Sequence, residues 1–258
     1  MVPNAYGMTL ICLIAAFGGG LLGVWLRTRL ARSQELDPKS DEAVKLCVGV
    51  VATMTGLILG LIMASAKSNF DTVEHSIRQS AIRLITVDKA LADLGDPAQR
   101  ARAVWREGVD HLVGDLSRSS TERSLMHLHD SNSTRLMRQT LALIGSLQAS
   151  NLSEQESQRR AIQAIHETLE SNWLGLYMSE ASMPALFVST ILAWLAFTFF
   201  CYGLVSPPTR LVVAVFFVSS LSVAGAIFLI LELELPFDGF MRVSWHPVLD
   251  AHAIIVKR

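Results

Sequence analysis

Four long apolar segments, none of which contains a charged residue or a histidine, constrain what this chain can fold into. Each is about as long as the helix that crosses the hydrocarbon layer of a bilayer, roughly 30 Å at about 1.5 Å per residue. The segments are Met8–Leu26, Leu46–Ala66, Met183–Val205 and Leu211–Leu231. A surface helix of a soluble protein keeps a polar face, and these segments have none. The pattern predicts an all-α, polytopic membrane protein with four transmembrane helices.

The charge and the cysteine content argue against several classes of function. The formal net charge of the 258 residues is -1, which gives no electrostatic support for nucleic-acid binding. Cys12, Cys47 and Cys201 all lie in apolar segments, where they are expected to pack rather than to form disulfides or hold a metal. The sequence contains no nucleophile motif, phosphate-binding glycine loop or zinc-spaced Cys/His set. We therefore expect neither an enzyme nor a cofactor.

The basic residues predict an orientation in the membrane. Five of them follow the first apolar segment, and the residues before that segment carry no charged side chain: Arg27, Arg29, Arg32, Lys39 and Lys45. The turn between the third and fourth segments, Ser206–Arg210, ends in another arginine. Because short cytoplasmic loops are rich in Lys and Arg, both connections are predicted to be cytoplasmic. In a bacterium, this places the protein in the inner membrane, with both termini and residues 67–182 on the periplasmic side.

The chain divides into four predicted regions. Residues 1–66 hold two transmembrane helices and a short basic loop, 67–182 an extramembrane helical insert, 183–231 a transmembrane hairpin, and 232–258 an interfacial C-terminal tail. Apolar residues recur at helical spacing beyond the second segment, which predicts one helix from about Leu46 to Leu94. Gly95-Asp96-Pro97 is expected to end it and to start the next helix. Ser153-x-x-Glu156 matches a capping box that opens a later helix. The insert is predicted to be an antiparallel helical bundle.

Small residues share one face of the second apolar segment. They are Gly49, Thr53, Gly56, Gly60 and Ala64. Such a face either lets another helix backbone approach closely or lines a narrow pore without obstructing it. For Gly19-x-x-x-Gly23 in the first segment, helix packing is the stronger interpretation. Proton-driven transporters need ionisable groups within the bilayer, and the apolar segments supply none, which favours a passive pore.

Two polar clusters each have two interpretations. Glu232, Glu234 and Asp238 follow the last apolar segment, where they belong either to an interfacial anchor or to a cation-attracting ring formed when several subunits assemble. His127-x-His129-Asp130 has metal-ligand chemistry but lies in a polar, serine-rich stretch. For that cluster we expect solvated loop residues and no metal.

Two stretches of the chain resemble a known family, the bacterial bestrophin-like domain of unknown function. The first runs from Thr53 to Gly60 and continues through Ser68-Asn69-Phe70-Asp71. The second is the tail motif Leu233–Gly239, followed by Arg242-Val243-Ser244 and then Pro247 and Leu249. The order of membrane helices, insert, hairpin and tail fits as well, so the resemblance spans about Leu46–Ile255. The chain departs from the family pattern at Arg78–Ile82, where an acidic stretch is expected.

The resemblance implies kinship to bestrophins, which are oligomeric anion channels with glycine-containing pore helices. We therefore expect a homo-oligomeric channel in the lipid bilayer that conducts inorganic ions passively and prefers anions. The second helix is expected to form the pore wall. The alternative is a non-conducting membrane sensor or scaffold whose helical insert binds a partner.

Overall fold

The structure, a computed structural model, describes residues 5–30, 38–118, 132–149, 151–180, 185–237 and 239–257. These residues form eight α-helices and no strand, which confirms the all-α prediction. The helices are α1 (Ala5–Leu30), α2 (Pro38–Asp93), α3 (Gln99–Arg118), α4 (Asn132–Gly145), α5 (Leu152–Glu180), α6 (Ala185–Val205), α7 (Arg210–Leu233) and α8 (His246–Val256). A short 3-10 turn, Asp96–Ala98, precedes α3.

Three of the described helices are long and apolar enough to cross a bilayer. They provide the candidate spans Tyr6–Arg29, Lys45–Asp93 and Arg210–Leu233, of which the second continues well past its apolar part. The described apolar part of α6, Ser189–Val205, is shorter. The fourth span expected at Met183–Val205 therefore stays a prediction.

Helix α2 is one uninterrupted helix, as its apolar periodicity predicts. It begins eight residues before Leu46 and ends at Asp93. Gly95 follows with a φ of 69°, a left-handed conformation that glycine adopts without the steric cost of a Cβ. Pro97 then lies inside the 3-10 turn, where its missing N–H removes no helical hydrogen bond. The Gly-Asp-Pro sequence thus ends one helix and starts the next.

The cap of α5 differs from the one expected. The side-chain oxygen of Asn151 accepts a hydrogen bond from the backbone N–H of Glu154 at 2.8 Å, and its amide group donates to the Glu154 carboxylate at 3.1 Å. The helix therefore begins at Leu152, and Asn151 with Glu154 performs the capping that was assigned to Ser153 and Glu156. That assignment was wrong by two residues, because an asparagine at the cap competes successfully with a nearby serine.

The chain groups into two compact units. The first, here the apolar unit, comprises residues 1–69 and 183–234; the second, here the bundle unit, comprises 70–182 and 235–258. In the apolar unit, α1 packs along α6 and also against α7. A Cβ on Gly19 would lie 2.5 Å from the carbonyl oxygen of Ala196, and one on Gly23 would overlap the backbone of Phe200. The glycines of α1 therefore permit close helix packing, as expected.

The bundle unit is built around α3. Helix α4 packs against α3, and α5 packs against α4, as in an antiparallel bundle. Trp105 is fully buried here, together with Leu84, Leu91 and Val109. The tail also contributes: α8 packs against α3, and His252 Nε2 lies 2.5 Å from the Asp110 carboxylate. The sequence analysis described residues 232–258 as an interfacial C-terminal tail and predicted no helix there, so it missed α8.

Candidate pore-lining face of α2

The small-residue face of α2 is uncovered within the subunit. A Cβ built on Gly49, Gly56 or Gly60 meets no atom within 4 Å among the described residues. Thr53 and Ala64, on the same face, are exposed. The Thr53 hydroxyl donates to the Gly49 carbonyl at 2.9 Å, so its polar group is satisfied within the helix. This face is thus a smooth apolar stripe with one hydroxyl, and its glycines have no packing neighbour among the described residues.

A different face of α2 is buried. Val48, Thr55, Ile62 and Ala66 are all at most 7% exposed, and they recur at spacings of seven and four residues. The Thr55 hydroxyl donates to the Val51 carbonyl at 2.8 Å, which allows it to lie in an apolar environment. One side of α2 therefore holds the helix in its unit while the small-residue face stays uncovered.

Large apolar side chains flank the small residues. These residues recur every three or four positions and are more than half exposed: Leu46, Val50, Met54, Leu57 and Leu61. In a membrane such a surface is covered by lipid chains or by another subunit. The single subunit therefore offers two uncovered surfaces on α2, one of small residues and one of large apolar ones.

The acidic residues at the end of α7 occupy different environments. Glu232 is buried, with 3% of its surface exposed, and Glu234 is half-buried. Asp238 lies outside the described residues. In the bundle unit, the rings of Phe237 and Trp245 stack with centroids 5.4 Å apart and planes 8° from parallel.

Metal-binding groups are sparse in the part of the chain that the structure describes. No group of three His, Cys, Asp or Glu side chains there could hold a metal ion. His127, His129 and Asp130 fall outside the described residues. Cys12, Cys47 and Cys201 are free thiols.

One buried charged cluster in the bundle unit was not found from the sequence. Asp88, 2% exposed, accepts hydrogen bonds from Arg102 at 2.8 and 2.9 Å and from Arg106 at 3.0 Å. Burial alone would raise the pKa of the Asp88 carboxyl, but the two guanidinium groups outweigh it and hold that pKa below its usual value. The sequence contained one feature that could have predicted this cluster. Asp88 follows Val87, one of the apolar residues that recur at helical spacing along α2, and the next helix carries two arginines four residues apart, Arg102 and Arg106.

One protein family matches nearly the whole sequence of this chain. The family model described as "Bestrophin-like domain" matches residues 14–248, nearly the full chain. No curated protein matches the sequence.

Solved structures share the fold at low sequence identity. A crystal structure of a variant bacterial bestrophin homologue from Klebsiella pneumoniae superposes with a TM-score of 0.64 at 14% identity, covering 100% of this chain and 98% of that one. A second variant of that homologue gives 0.61 at 14% identity, with coverage of 96% and 97%. A crystal structure described as that of a membrane protein also gives 0.61 at 14% identity, again covering 96% and 97%. This chain, a multi-pass membrane protein, belongs to the bestrophin-like family.

Proposed function

We propose that this chain forms a homo-oligomeric channel that conducts inorganic ions passively and prefers anions to cations. The bestrophin-like family is a family of membrane ion channels, and membership supports conduction in general. The observation that carries the specific proposal is the uncovered small-residue face of α2, with Gly49, Gly56 and Gly60 open to the surroundings. A face without side-chain bulk leaves room for ions near an oligomer axis.

The chemistry of this face fits passive conduction better than active transport. The apolar segments of the sequence carry no Asp, Glu, Lys, Arg or His that could relay protons. What the face offers is one hydroxyl, on Thr53, and the helix backbone at its glycines. We propose Gly49, Thr53, Gly56, Gly60 and Ala64 as the pore lining, with conduction controlled by how well this narrow apolar passage holds water.

The acidic residues at and after the end of α7 are proposed to form a ring of negative charge in the oligomer. In an oligomer they would repeat around the axis and raise the local concentration of cations at one mouth of the pathway, which opposes the preference for anions at that mouth. Glu234, which is half-buried, is better suited to this role than the buried Glu232. Asp238 belongs to the same proposed ring on sequence grounds.

The alternative function is a membrane sensor or scaffold that conducts nothing. The observation that favours it is the size of the bundle unit, residues 70–182 and 235–258, compared with the small membrane part. In that case the uncovered face of α2 packs against a neighbouring helix and leaves no passage.

Ion flux from purified protein separates the two functions. Vesicles loaded with potassium chloride and containing the full-length protein are placed in an impermeant salt, and chloride release is measured after addition of a potassium carrier. We expect release well above that of empty vesicles, because an anion pathway completes the electrical circuit. Absence of chloride and potassium release under every ion gradient would contradict conduction and favour the scaffold.

The proposed orientation predicts the labelling of two single cysteines. In a protein whose native Cys12, Cys47 and Cys201 are replaced by alanine, Gln155→Cys in the insert and Pro208→Cys in the turn before α7 are both exposed positions. A membrane-impermeant thiol reagent added to spheroplasts should label Gln155→Cys at once and Pro208→Cys only after the membrane is opened. The reverse order of labelling would invert the topology and place the insert in the cytoplasm.

A further inference from the structure

Arginines gather at one end of the apolar unit. Helix α1 ends at Leu30 and α6 ends at Val205, and Nη1 of Arg27 donates to the Val205 carbonyl, which ties the last turns of these helices together. Five residues later the chain starts α7 at Arg210, which is exposed. Arg29, also exposed, lies in the last turn of α1. The guanidinium groups of Arg27, Arg29 and Arg210 therefore lie at the same end of the helices α1, α6 and α7.

No carboxylate in these helices balances the positive charge at this end. Neither α1, nor α6, nor residues 206–231 contain an aspartate or a glutamate. The stretch that follows α1 carries four acidic residues, at positions 35, 37, 41 and 42, and Arg32, Lys39 and Lys45 offset three of them, so the arginines of the helices leave a net positive charge. The electrostatic potential at the end of α1 and the start of α7 is therefore expected to be positive.

Aromatic residues place these arginines at the depth of lipid headgroups. Trp25 in α1 is 55% exposed, and Tyr202 in the last turn of α6 is also exposed. Exposed Trp and Tyr at the ends of membrane helices lie at the boundary between hydrocarbon and water. The guanidinium carbon of Arg29 is 5.1 Å from the centroid of the Trp25 ring, a cation–π distance. A guanidinium stacked on a ring keeps the N–H donors in its own plane for an anion.

Apolar surface adjoins the same arginines. Leu211, next to Arg210, is 74% exposed, and Leu22, one turn before Trp25, is more than half exposed. A ligand that binds both to the arginines and to this apolar surface has a negatively charged head and an apolar body. The ammonium group of a zwitterionic lipid would instead be repelled by the arginines.

We propose that Arg29 and Arg210 bind phosphate groups of anionic phospholipids at this end of the apolar unit, with acyl chains lying along the exposed Leu22 and Leu211. Arg27 serves the site indirectly, since its bond to Val205 holds α1 and α6 together. Each basic residue near an anionic membrane surface strengthens binding by about fivefold. Removing both Arg29 and Arg210 is therefore expected to weaken the binding of anionic lipid by roughly 30-fold.

Lipid binding to the full-length protein in detergent micelles tests this proposal by native mass spectrometry. Phosphatidylglycerol and phosphatidylcholine with identical acyl chains are titrated onto the wild-type protein, onto Arg29→Gln with Arg210→Gln, and onto a control. The control, Arg138→Gln with Arg159→Gln, removes the same charge from exposed positions in the bundle unit. We expect the wild type and the control to prefer phosphatidylglycerol and the first double variant to lose that preference.

Three outcomes would overturn the proposal. They are equal binding of the two lipids by the wild type, an unchanged preference in the Arg29 and Arg210 double variant, and displacement of phosphatidylglycerol by inorganic phosphate at similar concentration. The last outcome would indicate a site for a free anion instead of a lipid. Because no ion flux is measured, the result does not depend on whether the protein conducts.

Discussion

Replacing Gly60 with leucine is expected to abolish ion flux while the protein stays folded and assembled. Apart from the adjoining backbone of α2, no described atom of the subunit lies within 4 Å of a Cβ at Gly60, so the new side chain meets no obstacle among the described residues. In an oligomer the leucine of every subunit would point into the proposed pathway and form an apolar ring that excludes water. A rise of only about 1.4 kcal/mol in the barrier lowers a rate tenfold, so flux should fall by at least that factor.

Gly23→Leu is the matched control for this variant. The substitution is chemically identical and also lies in an apolar helix, but a Cβ at Gly23 would overlap the backbone of Phe200 and lie 2.9 Å from Gly203. We expect it to force α1 away from α6 and to reduce the yield of folded protein. Flux is measured in vesicles, and subunit association is measured by size-exclusion chromatography with light scattering. If Gly60→Leu instead disrupts assembly while Gly23→Leu is tolerated, the α2 face packs against a helix and does not line a pore.

The two glycine stripes show what sequence alone could and could not predict. Gly19-x-x-x-Gly23 and Gly56-x-x-x-Gly60 have the same spacing, yet the first is covered by α6 and the second is not covered by any described residue. Spacing reports that a face lacks side chains, and only the three-dimensional arrangement reports what lies opposite. The bare sequence could therefore locate the candidate pore face but could not decide between packing and an open face.

Helices that show a long apolar periodicity could be predicted from the sequence. Helix α8 and the Asp88 cluster, which depend on contacts between residues far apart in the sequence, could not. The apolar stripe from Phe70 to Leu94 predicts the extension of α2, because burial of one face maintains the helix. Helix α8 is short, and its packing against α3 is a long-range contact that leaves little local signal. The Asp88 cluster depends on α3 lying against α2, so its three residues are ordinary charges until the fold brings them together.

Removing the Asp88 carboxylate is expected to loosen the bundle unit strongly. In Asp88→Ala the guanidinium groups of Arg102 and Arg106 lose their shared acceptor. Nη2 of Arg106 is already buried without a hydrogen-bond partner in the described part of the chain, so little remains to compensate its charge. Breaking a buried ion pair from one side costs about 3–5 kcal/mol, and the partial exposure of the two arginines favours the lower end of that range.

Glu156→Ala is the matched control, because Glu156 is also a carboxylate between two arginines. Its oxygens lie 3.4 Å from Arg159 and 3.0 Å from Arg160, but this triad is exposed to solvent. Water and salt screen such pairs, and we expect no measurable change. Amide hydrogen exchange in α3 of the full-length protein measures the local free energy of opening for both variants. Similar effects of the two substitutions would show that burial of the Asp88 cluster contributes nothing.

The contribution of Asp88 should also depend on pH in a defined direction. The two guanidinium groups hold the folded-state pKa of its carboxyl below the usual aspartate value, so the unfolded state takes up a proton first as the pH falls. The stabilisation is complete above about pH 5, declines as the pH passes through the unfolded and then the folded pKa, and is lost in strong acid. The difference in thermal midpoint between the wild type and Asp88→Asn should accordingly be constant from pH 8 to about pH 5 and shrink below about pH 4. A difference that grows on acidification would mean that Asp88 is protonated at neutral pH, and that its bonds to Arg102 and Arg106 are not those of an ion pair.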